Sequence, residues 1–321
     1  MPKCCLVTGA AGFIGSHLVA ALLEQGDHVV GVDNFDPFYD ESIKRDNIAQ
    51  LDPARFTLEV ADLRNPQRLS EIVAQTRPDL VVHIAAMAGV RPSIENPRKY
   101  AQVNIMGLAN LLQAMREAEV AKLLFASSSS VYGNNTKIPF AEDDPVPVQI
   151  SPYAATKRAG ELLCETWARL YGIRIGMLRF FTVYGPRQRP DLAIGKFMRL
   201  IADDQPIPMF GDGSTSRDYT YIDDIVDGIL RAAHHVDSMD EATHRLWNLG
   251  NSRPVELTDM IQSIGRIVGR TPRIETHVMQ TGDVNRTYAD ITRSRLELGY
   301  EPTIEFEDGL RRQWEWMKER I

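Results

Sequence analysis

Thr8-Gly9-Ala10-Ala11-Gly12-Phe13-Ile14-Gly15 is the stretch that decides the fold. It stands between a short apolar run, Cys4–Thr8, and a segment of helical spacing, Phe13–Gln25. In that segment Ile14, Leu18, Ala21 and Leu22 recur on one face before Gly26 ends it. Three glycines at a strand-to-helix junction have separate tasks: a tight turn, close approach of phosphate to the backbone, and close packing of helix on strand. The helix N-terminus adds unpaired N–H groups and the positive end of a dipole for a pyrophosphate. Asp33 ends the next apolar run, His28–Val32, 18 residues after Gly15. A carboxylate there accepts hydrogen bonds from ribose hydroxyls and repels a 2′-phosphate, and the residue that follows is Asn34 rather than arginine. The pattern predicts a site for NAD, not NADP.

Working outward, Phe56–Val60, Leu80–Ile84 and Lys122–Ala126 are further buried runs with helical segments between them. Such alternation predicts an α/β chain with a Rossmann-like, doubly wound parallel sheet covered by helices on both faces. Past about residue 178 Gly and Pro punctuate Tyr184–Pro190, Gln205–Gly213 and Asn251–Pro254. The expected division is an NAD-binding domain over 1–178, rejoined by some later segments, and a smaller C-terminal substrate-binding domain over 179–321. Asp62, just past the third run with Leu63 beside it, either meets the adenine edge or caps a turn.

Composition narrows the classes of function. The 321 residues are 44% hydrophobic and 25% charged, with a net charge of −7, so there is no basic surplus for a nucleic acid. No apolar run approaches the ~20 residues of a membrane span, and Cys4–Val7 is too short for a signal-peptide core. Three cysteines and seven histidines lie without metal-ligand or disulfide spacing. The expectation is a cytoplasmic protein with no metal and no membrane or nucleic-acid partner.

Tyr153-Ala-Ala-Thr-Lys157 opens a second helical segment. Positions i and i+4 share a helix face, so phenol and ammonium can share a pocket. A tyrosine acting as a base needs its pKa of about 10 lowered, and a nearby cation does this. Ser127-Ser128-Ser129-Ser130-Val131-Tyr132-Gly133 follows the fifth run, at the sheet edge where open α/β folds place ligands. A hydroxyl there can hold a substrate oxygen for the tyrosine.

Together these motifs resemble the extended short-chain dehydrogenase/reductase superfamily, and the resemblance spans nearly the whole chain. Arg179-Phe-Phe-Thr-Val-Tyr-Gly-Pro186, Arg217-Asp-Tyr-Thr-Tyr-Ile-Asp-Asp224 and Gly282-Asp283 are similar to its nucleotide-sugar binding segments. Within the superfamily the chain most resembles the UDP-glucuronate 4-epimerases. That resemblance implies a homodimer, a retained NAD and a UDP-sugar substrate. It implies Tyr153, Lys157 and Ser128 as catalytic residues, with Ser128 also against the substrate, and Gly9, Gly12, Phe13, Ile14, Gly15, Asp33, Asn34, Asp62, Leu63 and Asn104, together with Tyr153 and Lys157, around NAD. Arg217 and Asp283 would lie around the UDP, although Arg217 could equally pair with Asp218 or Asp223.

The same resemblance bears on the reaction. Related dehydratases and decarboxylases carry a carboxylate just before Val-Tyr-Gly, where this chain has Ser129 and Ser130. Galactose-type epimerases usually carry Asn where this chain has Thr182, and Arg189 adds a cation that a neutral hexose would not need. A planar guanidinium suits a carboxylate. Ser129, Ser130, Thr182 and Arg189 would then cradle the C6 carboxylate during 4-epimerisation of UDP-glucuronate to UDP-galacturonate through a 4-keto intermediate. Epimerisation of neutral UDP-sugars, decarboxylation, and NAD binding without turnover stay open as alternatives.

Overall fold

Strands form where apolar residues alternate between two covered faces. In the computed structural model, which describes residues 2–240, 242–278 and 284–320, the first half contains β1 (Cys4–Thr8), β2 (His28–Asp33), β3 (Phe56–Val60), β4 (Leu80–His83), β5 (Lys122–Ser128) and β6 (Arg174–Phe180). Then come β7 (Thr182–Tyr184), β8 (Ile207–Phe210), β9 (Ser216–Tyr221), β10 (His244–Leu249), β11 (Pro254–Glu256) and β12 (Ile274–His277). A seven-stranded sheet has the order β10-β6-β5-β4-β1-β2-β3, with every neighbouring pair parallel. This is the doubly wound α/β fold that the glycine stretch predicts.

Side-chain alternation assigns the two faces. Val7, Val82, Leu124 and Leu178 join one apolar cluster, with helices Phe13–Glu24 and Ile222–Asp237. Their neighbours Leu6, Val81, Leu123 and Met177 join the other, with helices Pro66–Thr76, Gly107–Glu117 and Pro152–Tyr171. Burial on both faces is what makes these strands near-continuous apolar runs.

The chain reverses its direction of travel across the sheet between β1 and β4. There the loops diverge and leave a crevice at the carboxyl ends of the strands. A smaller sheet, β11-β9-β7, and a parallel pair, β12-β8, come from the later part of the chain. The expected division at 178/179 falls inside β6, and β10 returns to the edge of the large sheet. No helix among the described residues is long and apolar enough to cross a membrane.

His83, at the end of β4, is 1% exposed and hydrogen-bonds Thr8 Oγ1 at 2.7 Å. Burial, with help from the Lys157 charge, pushes its pKa down to about 3. The fold therefore keeps this imidazole neutral, while the unfolded chain takes up its proton near pH 6.5. Stability from this group is present at neutral pH and declines as the pH falls below 6.5, by about 1.4 kcal/mol per unit. Urea denaturation at pH 7 and pH 5 should show His83→Gln losing about 2 kcal/mol less than the parent over that interval. An identical loss in both would contradict the assignment.

Candidate active site

The crevice is a cleft of about 500 Å³, within the usual range for small-molecule sites, roughly 300–1,000 Å³. Its lining comes from the carboxyl ends of the parallel strands and the loops beyond them: Gly9 after β1, Asp33 at the end of β2, Asp62 after β3, Ile84–Val90 after β4, Ser128 at the end of β5 with Ser129 and Ser130 beyond it, and Phe181 after β6.

At one end the glycine loop fits a dinucleotide. A Cβ on Gly15 would lie 2.0 Å from the Gly9 carbonyl oxygen, so the helix start can approach the loop this closely only without a side chain. No side chain caps the helix Phe13–Glu24, and Gly12, Phe13 and Ile14 line the cleft. The Asp33 carboxylate accepts the Ala11 N–H at 3.1 Å and the Phe35 N–H at 2.8 Å. Each oxygen thereby keeps a second lone pair for a ribose hydroxyl. The loop, the bare helix terminus and this carboxylate make a cradle whose chemistry fits a dinucleotide.

Two residues expected around this cradle are also held by partners within the chain. Asp62 lines the cleft beside Leu63, but its carboxylate takes Arg64 Nε at 2.9 Å, Arg64 Nη2 at 2.7 Å and Asn34 Nδ2 at 2.9 Å. The Arg64 contacts hold it well below the usual carboxylate range. It closes its own turn through the Arg64 N–H at 2.8 Å. Asn104 is not part of the cleft lining. It sits in a π-helical turn, Ala101–Met106, accepts the Met87 N–H at 2.8 Å, and donates to the Met87 carbonyl and Thr156 Oγ1 at 3.0 Å each. It thus pins the loop after β4 to the helix that carries Tyr153.

That helix, Pro152–Tyr171, starts where its sequence says it should. Ser151 Oγ accepts the Ala154 N–H at 3.1 Å and Pro152 takes the first turn. Gly160 lets it lie directly on β5, since a Cβ there would meet the Phe125 ring at 2.5 Å. Tyr153 and Lys157 consequently enter the cleft together. Tyr153 and Ser128 face the same cleft, and Ser128 Oγ donates to Ser130 Oγ at 3.0 Å. Burial raises the Tyr153 pKa above its ordinary value, while the nearby Ser128 hydroxyl and the Arg189 charge pull it back. The Lys157 ammonium donates to the Ala126 carbonyl at 2.7 Å, and burial lowers its pKa to about 8.

The serine run extends β5 by two residues rather than forming a loop. Ser127 turns inward, donating to Glu161 at 2.6 Å, and Glu161 takes both Arg179 Nε at 2.8 Å and Arg179 Nη2 at 2.9 Å. Arg179 is therefore a buried support of the site rather than a ligand contact. Ser128, Ser129, Ser130, Thr182, Arg189 and Arg217 all line the cleft. Arg217 Nη1 donates to the Ser216 carbonyl at 2.9 Å, Asp218 accepts the N–H groups of Asn251, Ser252 and Ala289, and Asp223 faces Arg312 at 3.5 Å. Asp283 lies outside the described residues. The motifs miss Phe38 and Tyr39, which line the cleft from the segment after Asp33; the aromatic pair at the mouth of a cofactor site was the available signal.

Comparison with known proteins places this geometry in context. A family model described as the NAD dependent epimerase/dehydratase family matches residues 5–250. A UDP-glucuronate 4-epimerase of Thermodesulfobacterium geofontis is 41% identical over 318 residues, covering 98% of this chain and 96% of the relative. The crystal structure of a UDP-glucuronic acid 4-epimerase from Bacillus cereus, in complex with UDP-glucuronic acid and NAD, superposes with a TM-score of 0.92 at 36% identity, covering 99% of this chain and 100% of that one. A UDP-glucose 4-epimerase from Thermotoga maritima, solved with UDP-glucose, superposes with a TM-score of 0.89 at 31% identity, covering 99% of each chain.

Proposed function

The chain belongs to the NAD-dependent epimerase/dehydratase family, and from that premise we propose that it interconverts UDP-glucuronate and UDP-galacturonate by inversion at C4, with a resident NAD. The observation that carries this reading is Arg189, lining the same cleft as Tyr153, Ser129, Ser130 and Thr182, with its charge felt at the Tyr153 phenol. A cation beside the reacting end of the sugar is suited to a C6 carboxylate and has no partner on a neutral hexose.

Gly9, Gly12, Gly15 and Asp33 would hold NAD, which when bound supplies the reversible two-electron oxidation that turns the C4 carbinol into a ketone and back. Tyr153 takes the C4 hydroxyl proton and later returns it. Ser128, which lines the same cleft, holds the C4 oxygen in line with it. The Arg189 charge opposes the burial that otherwise keeps the phenol protonated, and the Lys157 ammonium, one helical turn away, would hold the nicotinamide ribose. The 4-keto sugar is a β-keto acid and can lose carbon dioxide once its carboxylate is desolvated. Arg189, with the hydroxyls of Ser129, Ser130 and Thr182, keeps that carboxylate hydrogen-bonded and so resists the loss. Ser129 and Ser130, rather than carboxylates, precede Val131-Tyr132-Gly133, which leaves water elimination without its base. Arg217, and Asp283 from outside the described residues, would serve the UDP.

Incubating the protein with UDP-glucuronate, UDP-glucose and UDP-xylose, without added cofactor, and resolving the products tests the reading. UDP-galacturonate should dominate, and conversion of the neutral sugars alone would overturn it. Denatured protein should release NAD. Release of NADP would contradict the role given to Asp33.

A homodimer is part of the same proposal. Leu162 and Leu170, on one stripe of the helix Pro152–Tyr171, are 48% and 64% exposed, an apolar face suited to a second copy. Light scattering should give twice the 36.1 kDa chain mass. A monomer mass would rule the pairing out. The three cysteines are free thiols, which accords with a reducing compartment such as the cytoplasm.

A further inference from the structure

Arg189 is not left to find its ligand unaided. Its Nε donates to Asp191 Oδ1 at 3.0 Å and its Nη2 to Asp191 Oδ2 at 2.9 Å. The Phe38 ring centre lies 5.1 Å from the guanidinium carbon, so the group is fixed both on a face and along an edge. The backbone that carries the pair is fixed as well. Gln188 is buried, donates to the Val183 carbonyl at 3.1 Å and accepts from Gln313 Nε2 at 2.8 Å. The turn beyond it closes through Leu192 N–H to the Arg189 carbonyl at 3.2 Å. Arg199 Nη1 reaches the Pro190 carbonyl at 3.4 Å.

An ion pair at a cleft rim contributes little to stability, yet this one determines which edge of a planar fork meets a ligand. A carboxylate on Nε and Nη2 leaves the Nη1/Nη2 edge as the one a second carboxylate can approach. Resting on the epimerase reading above, we infer that Asp191 is a positioning residue for substrate choice: it orients Arg189 so that the Nη1/Nη2 edge receives the C6 carboxylate of the sugar. Asp191 touches no reacting atom and acts only through Arg189. Its own charge is half open to solvent, with 42% of the side chain exposed, so its repulsion of the incoming carboxylate is screened while its hold on the guanidinium is bidentate.

The test uses the Tyr153→Phe protein, in which turnover does not obscure equilibrium binding, and compares the dissociation constants of UDP-glucuronate and UDP-glucose by calorimetry. Adding Asp191→Ala should lower the preference for UDP-glucuronate about tenfold through weaker binding of that ligand. Asp191→Asn, which keeps an acceptor but not the charge, should fall between. A purely structural role would weaken both ligands alike, and that result overturns the proposal. Unchanged preference, or tighter UDP-glucuronate binding in Asp191→Ala, overturns it too, the latter by making Asp191 a competitor for the guanidinium. If the Tyr153→Phe protein alone shows no preference for UDP-glucuronate, the carboxylate reading fails and the role of Asp191 with it.

Discussion

Replacing Tyr153 by phenylalanine is expected to cut turnover by ~10²–10⁴, the usual span for loss of a positioned acid–base group, while UDP-sugar binding stays nearly intact. The phenol lies in the cleft with Ser128 and Arg189, both of which lower its pKa against burial, with Lys157 four residues on in the same helix. Removing its oxygen leaves the C4 hydroxyl proton without an acceptor. The ring itself stays packed edge-on against Tyr100, 6.3 Å between centroids, so the fold loses little. Steady-state kinetics with UDP-glucuronate, alongside the binding constant of the variant, checks this. Turnover at the parent rate would end the assignment of Tyr153 as the base.

Arg189→Ala is expected to reduce kcat/KM for UDP-glucuronate by about 10- to 150-fold. A charge-assisted contact contributes roughly 1.5–3 kcal/mol, and about 1.4 kcal/mol is a factor of ten. Any activity on UDP-glucose should change far less, since that sugar carries no charge at C6. The variant should also release some UDP-pentose, because a loosely held carboxylate in the 4-keto sugar reaches the geometry for decarboxylation. Comparing kcat/KM for the two substrates in parent and variant decides the matter. Equal losses on both would assign Arg189 to the fold or to the UDP.

What could be read from the sequence was local. The strand–glycine–helix junction, the carboxylate that ends β2 and the Tyr153/Lys157 pair each depend on residues a few positions apart, and their backbone patterns specify the geometry directly. Ser151-Pro152 similarly announces the start of the helix that carries the base. What stayed hidden depends on distant partners. Ser127 belongs to Glu161, 34 residues on, so a run of four serines could not reveal that one of them faces inward. Asn104 meets Met87 and Thr156 from a π-turn that no periodicity signals. Asp62 lines the cleft as its position suggests, but nothing local signals that Asn34, from the neighbouring strand end, joins Arg64 on its oxygens. Phe38 comes under Arg189 only because β2 and the segment after β7 open onto one cleft.

The central claim is that C4 of UDP-glucuronate is oxidised and then reduced again on the opposite face within one closed cycle. Supplying UDP-glucuronate carrying deuterium at C4, with no added cofactor, and analysing the product by mass spectrometry and NMR tests it most directly. UDP-galacturonate that retains the deuterium at C4, with no hydrogen gained from solvent, is the predicted result. Absence of UDP-galacturonate, or a product whose C4 label has been lost to water, would contradict it.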